Sequence, residues 1–553
     1  MCNGESRCFY RLEREMKTKF LRYVKHIWGP CLLFSGITGI LTGGLIFLFK
    51  IASSYVIARS SELYAFVRLH PIWLPVLVLG AAVLGLLAAG ILYGAPNCRG
   101  GGIPTSVALL RGLIEFKWIK SVFLLFTSAM MTYLCGVPLG NEGPSVQMGT
   151  AIGRGTVQSF PKKYAAWDRY IMTGGACAGF AAATGAPVTG IFFAFEEAHR
   201  RFSPMIFMSA AMTVISGTVT MEILCKQAGI STSMFELFEV HKLPLKFLWA
   251  AILIGLLCGA CAILFTKFYR ACGNFLKSKL QKCSFSVKIV LIFVLVALIG
   301  FAWNACIGSG HSLIEEVLNG EGVWYLLVLC FCIRAILLIV ANNVGVTGGL
   351  FVPTLAFGAI LGALFGKGLV ALEFLNAEYY PIMVIVGMAS FLSASARTPI
   401  TAITFAVEAL SGFSNILPIT VGVTFAYLTI EALGIVSFNE AVVERKVEEE
   451  NHEKVKQIVD RHLTVQEDSF AVGKEIRDIL WPPTCVILSI DKNPAQAGGG
   501  VGISVGDVLH VHYRTYEPAH TFELLEALVG VQPTDNRTEM HVGAQHEQVP
   551  ENS

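Results

Sequence analysis

Between residues 30 and 436 the chain keeps returning to apolar runs, at about 30–58, 72–94, 118–139, 170–195, 205–224, 245–266, 288–307, 322–341, 350–372, 380–410 and 415–436. About 20 apolar residues cross a bilayer as a helix, and each run reaches or nearly reaches that length. Lipid offers no partner to a bare backbone, so such runs must become helices or lie against other protein where they are broken. With 54% hydrophobic and 15% charged residues, the chain is neither disordered nor composed like a large soluble enzyme.

The formal net charge of +3 hides a division. Residues 441–553 hold 19 acidic and 10 basic side chains, a balance of −9, whereas residues 1–440 hold 20 and 32, a balance of +12. This pattern predicts a cytoplasmic segment over 1–28, a membrane domain over 29–440, a charged linker helix over 441–462, a small soluble domain over 463–530 and a flexible tail over 531–553. Basic residues before the first run and in the loops Lys162-Lys163…Arg169 and Lys277…Lys288 place the N-terminus and these loops in the cytoplasm. The soluble part reads as α+β: strands at 485–490 and 508–513, a glycine-rich loop at 498–502 and a helix at 521–529. The glycines of that loop are poor evidence for a nucleotide, and no nucleic-acid partner, cofactor or metal is expected. The one CxxC, Cys258-Gly-Ala-Cys261, lies inside an apolar run, where small residues at this spacing serve helix packing.

The membrane block repeats itself. Gly100-Gly101-Gly102…Leu110 matches Gly308-Ser309-Gly310…Leu318 at an offset of 208. Pro144-Ser145…Gly149…Gly153 matches Pro353-Thr354…Gly358…Gly362 at 209, and Pro187…Glu196 matches Pro399…Glu408 at 212. Two related halves follow, about 29–224 and 245–440. Paired Gly/Pro-broken helices in two halves point to a transporter's central site.

Three segments share one grammar of glycines, a proline and a helix start: Gly100–Pro104, Gly140–Pro144 and Gly348–Pro353. Helix starts expose unpaired N–H groups and the positive end of the helix dipole, so converging starts suit a dehydrated anion without any fixed positive charge. Glu142 sits inside the second segment. A carboxylate amid apolar spans is costly, and its oxygens can take the anion's place until a proton neutralises them. It therefore reads as gate and proton carrier. Glu196 and Glu197 precede His199-Arg200-Arg201, and one of them suits a proton acceptor on the cytoplasmic side.

These segments resemble the signatures of the CLC family of chloride channels and proton-coupled anion exchangers, over nearly all of residues 15–445. The family patterns GSGIP, GREGP and GxFxP stand here as Gly100–Pro104, Gly140–Pro144 and Gly349–Pro353. The resemblance implies an all-α polytopic fold of two inverted repeats of tilted, broken helices, a homodimer with one anion pathway per subunit, and a multi-pass cell-membrane location. It assigns anion contacts to Gly101, Gly102, Ile103, Gly143, Leu350, Phe351 and Asn439, gating to Glu142, and internal proton transfer to Glu197. Both glutamates together favour chloride/proton antiport.

Three departures alter the expected site. Gly101 stands where the family carries an anion-coordinating serine, Asn141 replaces the arginine before the gating glutamate, and Asn439 occupies the place of a central tyrosine, with Phe438 beside it. Losing two hydroxyls loosens the inner gate and permits an uncoupled chloride channel. Asn-Glu-Gly-Pro is similar to the fluoride-exporting branch, which makes a fluoride/proton antiporter the other alternative. The soluble domain resembles the C-terminal domain of the TrkA/RCK regulators through Leu480-Trp481-Pro482-Pro483 and Val505–Leu509. That likeness implies a prokaryotic protein with an unidentified small regulatory ligand. On its own it also suggests a cation-transport component, for which the second half offers only Glu408 and Glu431. No nucleophile–base pair suggests an enzyme.

Overall fold

In the computed structural model, which describes residues 27–532 apart from 236–237, 239, 453, 492 and 494–496, the apolar runs become helices. The first half contains α1 (Gly29–Leu69), α2 (Leu74–Tyr93), α3 (Gly102–Leu110) and α4 (Trp118–Cys135). It continues with α5 (Glu142–Gln158), α6 (Asp168–Thr184), α7 (Pro187–Phe193) and α8 (Pro204–Ala228). The second half repeats the plan with α9 (Leu248–Lys279), α10 (Phe285–Ala302), α11 (His311–Leu318) and α12 (Trp324–Val344). It ends with α13 (Phe351–Ala371), α14 (Tyr380–Ala396), α15 (Pro399–Ala406) and α16 (Ile416–Ala432). Each helix thus has its counterpart eight helices later. Among the described residues, ten helical segments are long and apolar enough to cross a membrane.

Two of the apolar runs are not single helices. The run at 170–195 divides into α6 and α7, because Gly185 closes α6 in the left-handed region (φ 72°) and Pro187 starts a new helix. The run at 380–410 divides identically, with Arg397 at φ 59° and Pro399. Both short helices then loosen into one π-helical turn, Ala194–Ala198 after α7 and Val407–Ser411 after α15.

The core lies where α5 packs on α6 and α13 on α14, and both contacts depend on glycine. A Cβ on Gly149 would stand 2.1 Å from the Gly175 carbonyl oxygen, and one on Gly358 would stand 2.5 Å from that of Gly387. Backbones in such contact gain packing that side chains would forbid. Cys258 belongs to this packing, its thiol donating to the Gly387 carbonyl at 3.6 Å.

The halves are inverted. Glu196, just past α7, accepts from the N–H groups of Ile400 (2.9 Å) and Thr401 (2.6 Å) at the start of α15. Glu408, just past α15, accepts from Val188 (2.8 Å) and Thr189 (2.9 Å) at the start of α7. Each helix ends at the other's beginning, so the pair runs antiparallel and each carboxylate neutralises the opposite helix's dipole.

The expected linker helix over 441–462 is only partly present. Helix α17 (Phe438–Glu450) ends at Asn451, and strand β1 (Gln457–Thr464) follows. Glu448, Glu449 and Glu450 oppose the dipole at the helix's C-terminal end. Val459, Arg461 and Leu463 then alternate inward with period two, so the soluble unit starts before residue 463. Its sheet has the order β1-β3-β2, all antiparallel, with β2 (Val486–Ile490), β3 (Val508–Thr515) and a covering helix α18 (Pro518–Val529). The expected segment 1–28 lies almost wholly, and the tail 531–553 mostly, outside the described residues.

The soluble unit docks on the membrane domain through carbonyls. Arg169 donates to Leu480 (3.1 Å) and Trp481 (2.7 Å), and Arg201 to Ile479 (2.8 Å). Phe470 packs its ring on Trp167 and Tyr170, and His520 meets Glu115 at 2.9 Å.

Candidate functional site

The three glycine-proline segments meet at the centre of the membrane domain. Gly140 and Gly349 exchange backbone hydrogen bonds of 2.8 and 2.7 Å, and Gly101 bridges Gly348 in parallel. A Cβ on Gly102 would stand 2.1 Å from the Gly143 carbonyl carbon, and one on Gly143 would stand 2.6 Å from the Gly349 Cα. Glycine is required because three backbones touch. The contact brings together the starts of α3, α5 and α13, none of which has a side-chain cap. Their free N–H groups are the donors that sequence reasoning placed here.

Glu142 is the first residue of α5 and is wholly buried. Neither carboxylate oxygen completes a hydrogen bond of good geometry. The backbone N–H groups that act on it are those of Asn141, Glu142 and Val352, from the starts of both α5 and α13. The acid is thus held where a free anion would be held. Tyr133 donates to the Gly140 carbonyl at 2.9 Å and steadies the loop before it.

Two cavities approach this carboxylate from opposite faces. One, of about 260 Å³, is lined by Gly100, Gly101, Thr105, Asn342, Arg445 and Lys446, among others. The other, of about 680 Å³, is lined by Lys50, Tyr133, Leu139, Asn141, His311 and Arg334, among others. Helix α10 links them, since Phe285 at its start lines the first and Trp303 just past its end lines the second. Its 18 residues are about 27 Å long, the depth of a bilayer core. The first cavity opens beside α17, on the face that carries the soluble unit. Gly101 lines one cavity and Asn141 the other; Glu142 lines neither, and follows Asn141 directly in the chain.

Of the remaining expected contacts, Ile103 is buried in the first turn of α3. Leu350 closes over Gly101, with Cδ1 2.8 Å from where a Cβ would stand there. Phe351 starts α13, its ring edge-on to Phe180 (5.1 Å) and Phe405 (4.9 Å). Asn439 is placed otherwise: its amide donates to Glu197 Oε1 at 2.6 Å. Phe438 is buried against Phe265 and Tyr269.

Glu196 is spent on capping α15, which leaves Glu197 as the available acid of the pair. It lies in the π-helical turn beside a charged cluster in which Arg111 donates to the Glu197 carbonyl (3.0 Å), and both Arg111 (2.9 Å) and Arg200 (2.8 Å) pair with Glu440. Sequence reasoning missed Glu440, Arg111, Tyr269 and Asn342. The only signal for the last was a polar pair, Asn342-Asn343, ending an otherwise apolar run.

This fold and site define a polytopic membrane protein of two inverted repeats, with converging helix starts around a buried acid. A family model described as "Voltage gated chloride channel" matches residues 80–431. That is well over half the chain, and the chain belongs to this family. It is 29% identical over 416 residues to the H(+)/Cl(-) exchange transporter ClcA of Cronobacter sakazakii, covering 73% of this chain and 87% of that one. The crystal structure of a slow cyanobacterial Cl-/H+ antiporter superimposes with a TM-score of 0.70 at 25% identity, over 76% of this chain and 99% of the other. A CLC-type fluoride/proton antiporter, at 19% identity and a TM-score of 0.62 over 75% of this chain and 98% of that one, shares the fold.

Proposed function

We propose that this chain is a proton-coupled chloride exchanger rather than an enzyme, with Glu142 as gate and Glu197 as internal proton acceptor. The observation that carries the proposal is the Glu142 carboxylate itself, buried at uncapped helix starts in a domain with cavities on opposite faces. Ionised, it competes with the anion for the same N–H groups. A proton removes its charge and lets the anion in, which ties the two movements together. The chloride/proton exchange of ClcA and of the cyanobacterial antiporter agrees with this reading.

The face bearing the soluble unit is proposed as cytoplasmic, with chloride entering there past Gly101. A homodimer is supported by half-buried Glu196 and Glu408 capping helix starts where Val188 and Ile400 are exposed, since carboxylates facing lipid are costly and a second subunit would cover them. The soluble unit is proposed as a TrkA-C-like regulatory module for a small ligand. Arg169 supports this, because it joins the last carbonyl of α3, Leu110, to the docked segment at Leu480 and Trp481.

Vesicles containing the protein, given a chloride gradient, are expected to move protons against it, and Glu197→Gln to abolish proton movement while chloride still flows. Proton flux unchanged in Glu197→Gln would remove that residue from the mechanism. Fluoride and chloride fluxes compared in the same vesicles decide the anion, and chloride flux with no proton movement in the unmodified protein would make it a channel.

A further inference from the structure

The cavity below Gly101 has the charge of an anion funnel, with Arg99, Lys277, Lys288, Arg445 and Lys446 among its lining residues against Glu449 alone. Lys277 and Glu449 are at its exposed mouth, while Gly101, Thr105 and Asn342 form its buried end. At that end the familiar hydroxyl donors are absent or committed. Gly101 has no side chain, Asn439 is turned to Glu197, and Thr105 donates to the Gly101 carbonyl at 3.0 Å.

Asn342 fills the gap. It is 6% exposed, and its Nδ2 has no hydrogen-bond partner. That nitrogen lies 3.1 Å from where a Cβ on Gly101 would stand and 3.9 Å from the same point on Gly100. Its orientation is fixed from behind, because the Tyr269 hydroxyl donates to Asn342 Oδ1 at 3.1 Å and leaves the NH₂ facing the glycines. Tyr269 is itself held edge-on by Phe438 at 5.1 Å. A buried donor without an acceptor is destabilising, and an arriving anion corrects it.

We propose that the Asn342 amide, oriented by the Tyr269 hydroxyl, donates a hydrogen bond to the transported anion at the inner end of this cavity and sets its preference for strongly hydrated anions. The proposal rests on the anion-transport reading above. Chloride must shed water to enter, and each donor it meets offsets that cost. A site reduced to backbone N–H groups and the apolar walls of Leu350 and Ile103 would favour anions that shed water cheaply, such as thiocyanate.

The test is chloride binding by calorimetry on the purified full chain, paired with chloride and thiocyanate fluxes in vesicles. Asn342→Leu, of similar size, is expected to weaken chloride binding about tenfold, the loss of one hydrogen bond to a charged partner, and to shift the flux ratio toward thiocyanate. Asn342→Asp, nearly isosteric, should abolish chloride binding, and Tyr269→Phe should move both readouts the same way by a smaller factor. Unchanged chloride affinity and flux ratio in Asn342→Leu would overturn the assignment. So would equal losses for both anions together with a lowered melting temperature, the mark of a packing role. Unmodified protein that binds chloride without transporting it would sink the exchanger reading and leave the binding comparison intact.

Discussion

The two halves of the membrane domain are built to one plan, and they differ where chemistry is needed. Glu196 and Glu408 occupy equivalent positions and do the same work, each capping the other half's short helix. Gly149 and Gly175 repeat in Gly358 and Gly387, again as backbone contacts. The symmetry fails at the helix starts: α5 begins with Glu142, α13 with Phe351. It fails again one residue past the caps, where Glu197 faces Ala409 across the repeat. Shared positions hold the scaffold together. The titratable groups proposed for transport exist in one copy.

That contrast can be broken at several points. The largest effect is expected from Glu142→Gln, which keeps the shape but cannot carry a charge or exchange the proton. Proton movement in vesicles should vanish while chloride flux persists, and retained coupling would return Glu142 to the scaffold. Next comes Gly102→Ala, whose methyl would enter the Gly143 backbone, so a loss of roughly 3 kcal/mol or failure to fold is expected from overpacking. Thermal unfolding of the purified protein measures it. Glu196→Gln and Glu408→Gln should each cost about 1–2 kcal/mol, as lost charged caps do, and the two costs should match. Glu197→Gln should leave the melting temperature nearly unchanged. Unequal costs for the two caps would mean that the symmetry is only apparent.

The smallest effect concerns the joint between the membrane domain and the soluble unit. The hydrogen bond to Glu115 raises the His520 imidazole above its ordinary 6.5. Glu115, although burial alone would raise it, is lowered below 4.5 by His520 and Arg154. The histidine's contribution to docking is therefore complete below about pH 6.5 and fades as pH rises through its raised value. The glutamate's contribution is present above about pH 4.5 and is lost as pH falls through its lowered value. Docking should be strongest between these limits, by under about 1 kcal/mol because the pair is partly exposed. Hydrogen exchange in α18 against pH, with His520→Gln as control, should lose this dependence.

Much of this was legible in the chain. The glycine-proline segments announced uncapped helix starts, the repeat announced two matching halves, and Glu142 stood out as an acid in an apolar setting. Residue type alone did not separate Glu196 from Glu197, since both are acidic and adjacent; the family resemblance pointed to Glu197, and a π-helical turn decides that Glu196 is the one that reaches α15. Asn439 looked like an anion contact by its place in the motif, yet its amide goes to Glu197. The end of α17 was hidden because charged residues fit a helix and a solvated strand equally well until Val459, Arg461 and Leu463 find β3.

The chain by itself determined which stretches are apolar enough to cross a membrane and where glycine and proline interrupt them, because apolar length, proline and glycine act locally. Only the tertiary structure decided which groups are left without a partner. Whether Glu142 and Asn342 are satisfied depends on groups far away in the chain, Val352 for the first and Tyr269 for the second. Local sequence carries no record of that accounting, which closes only when both halves are folded against each other.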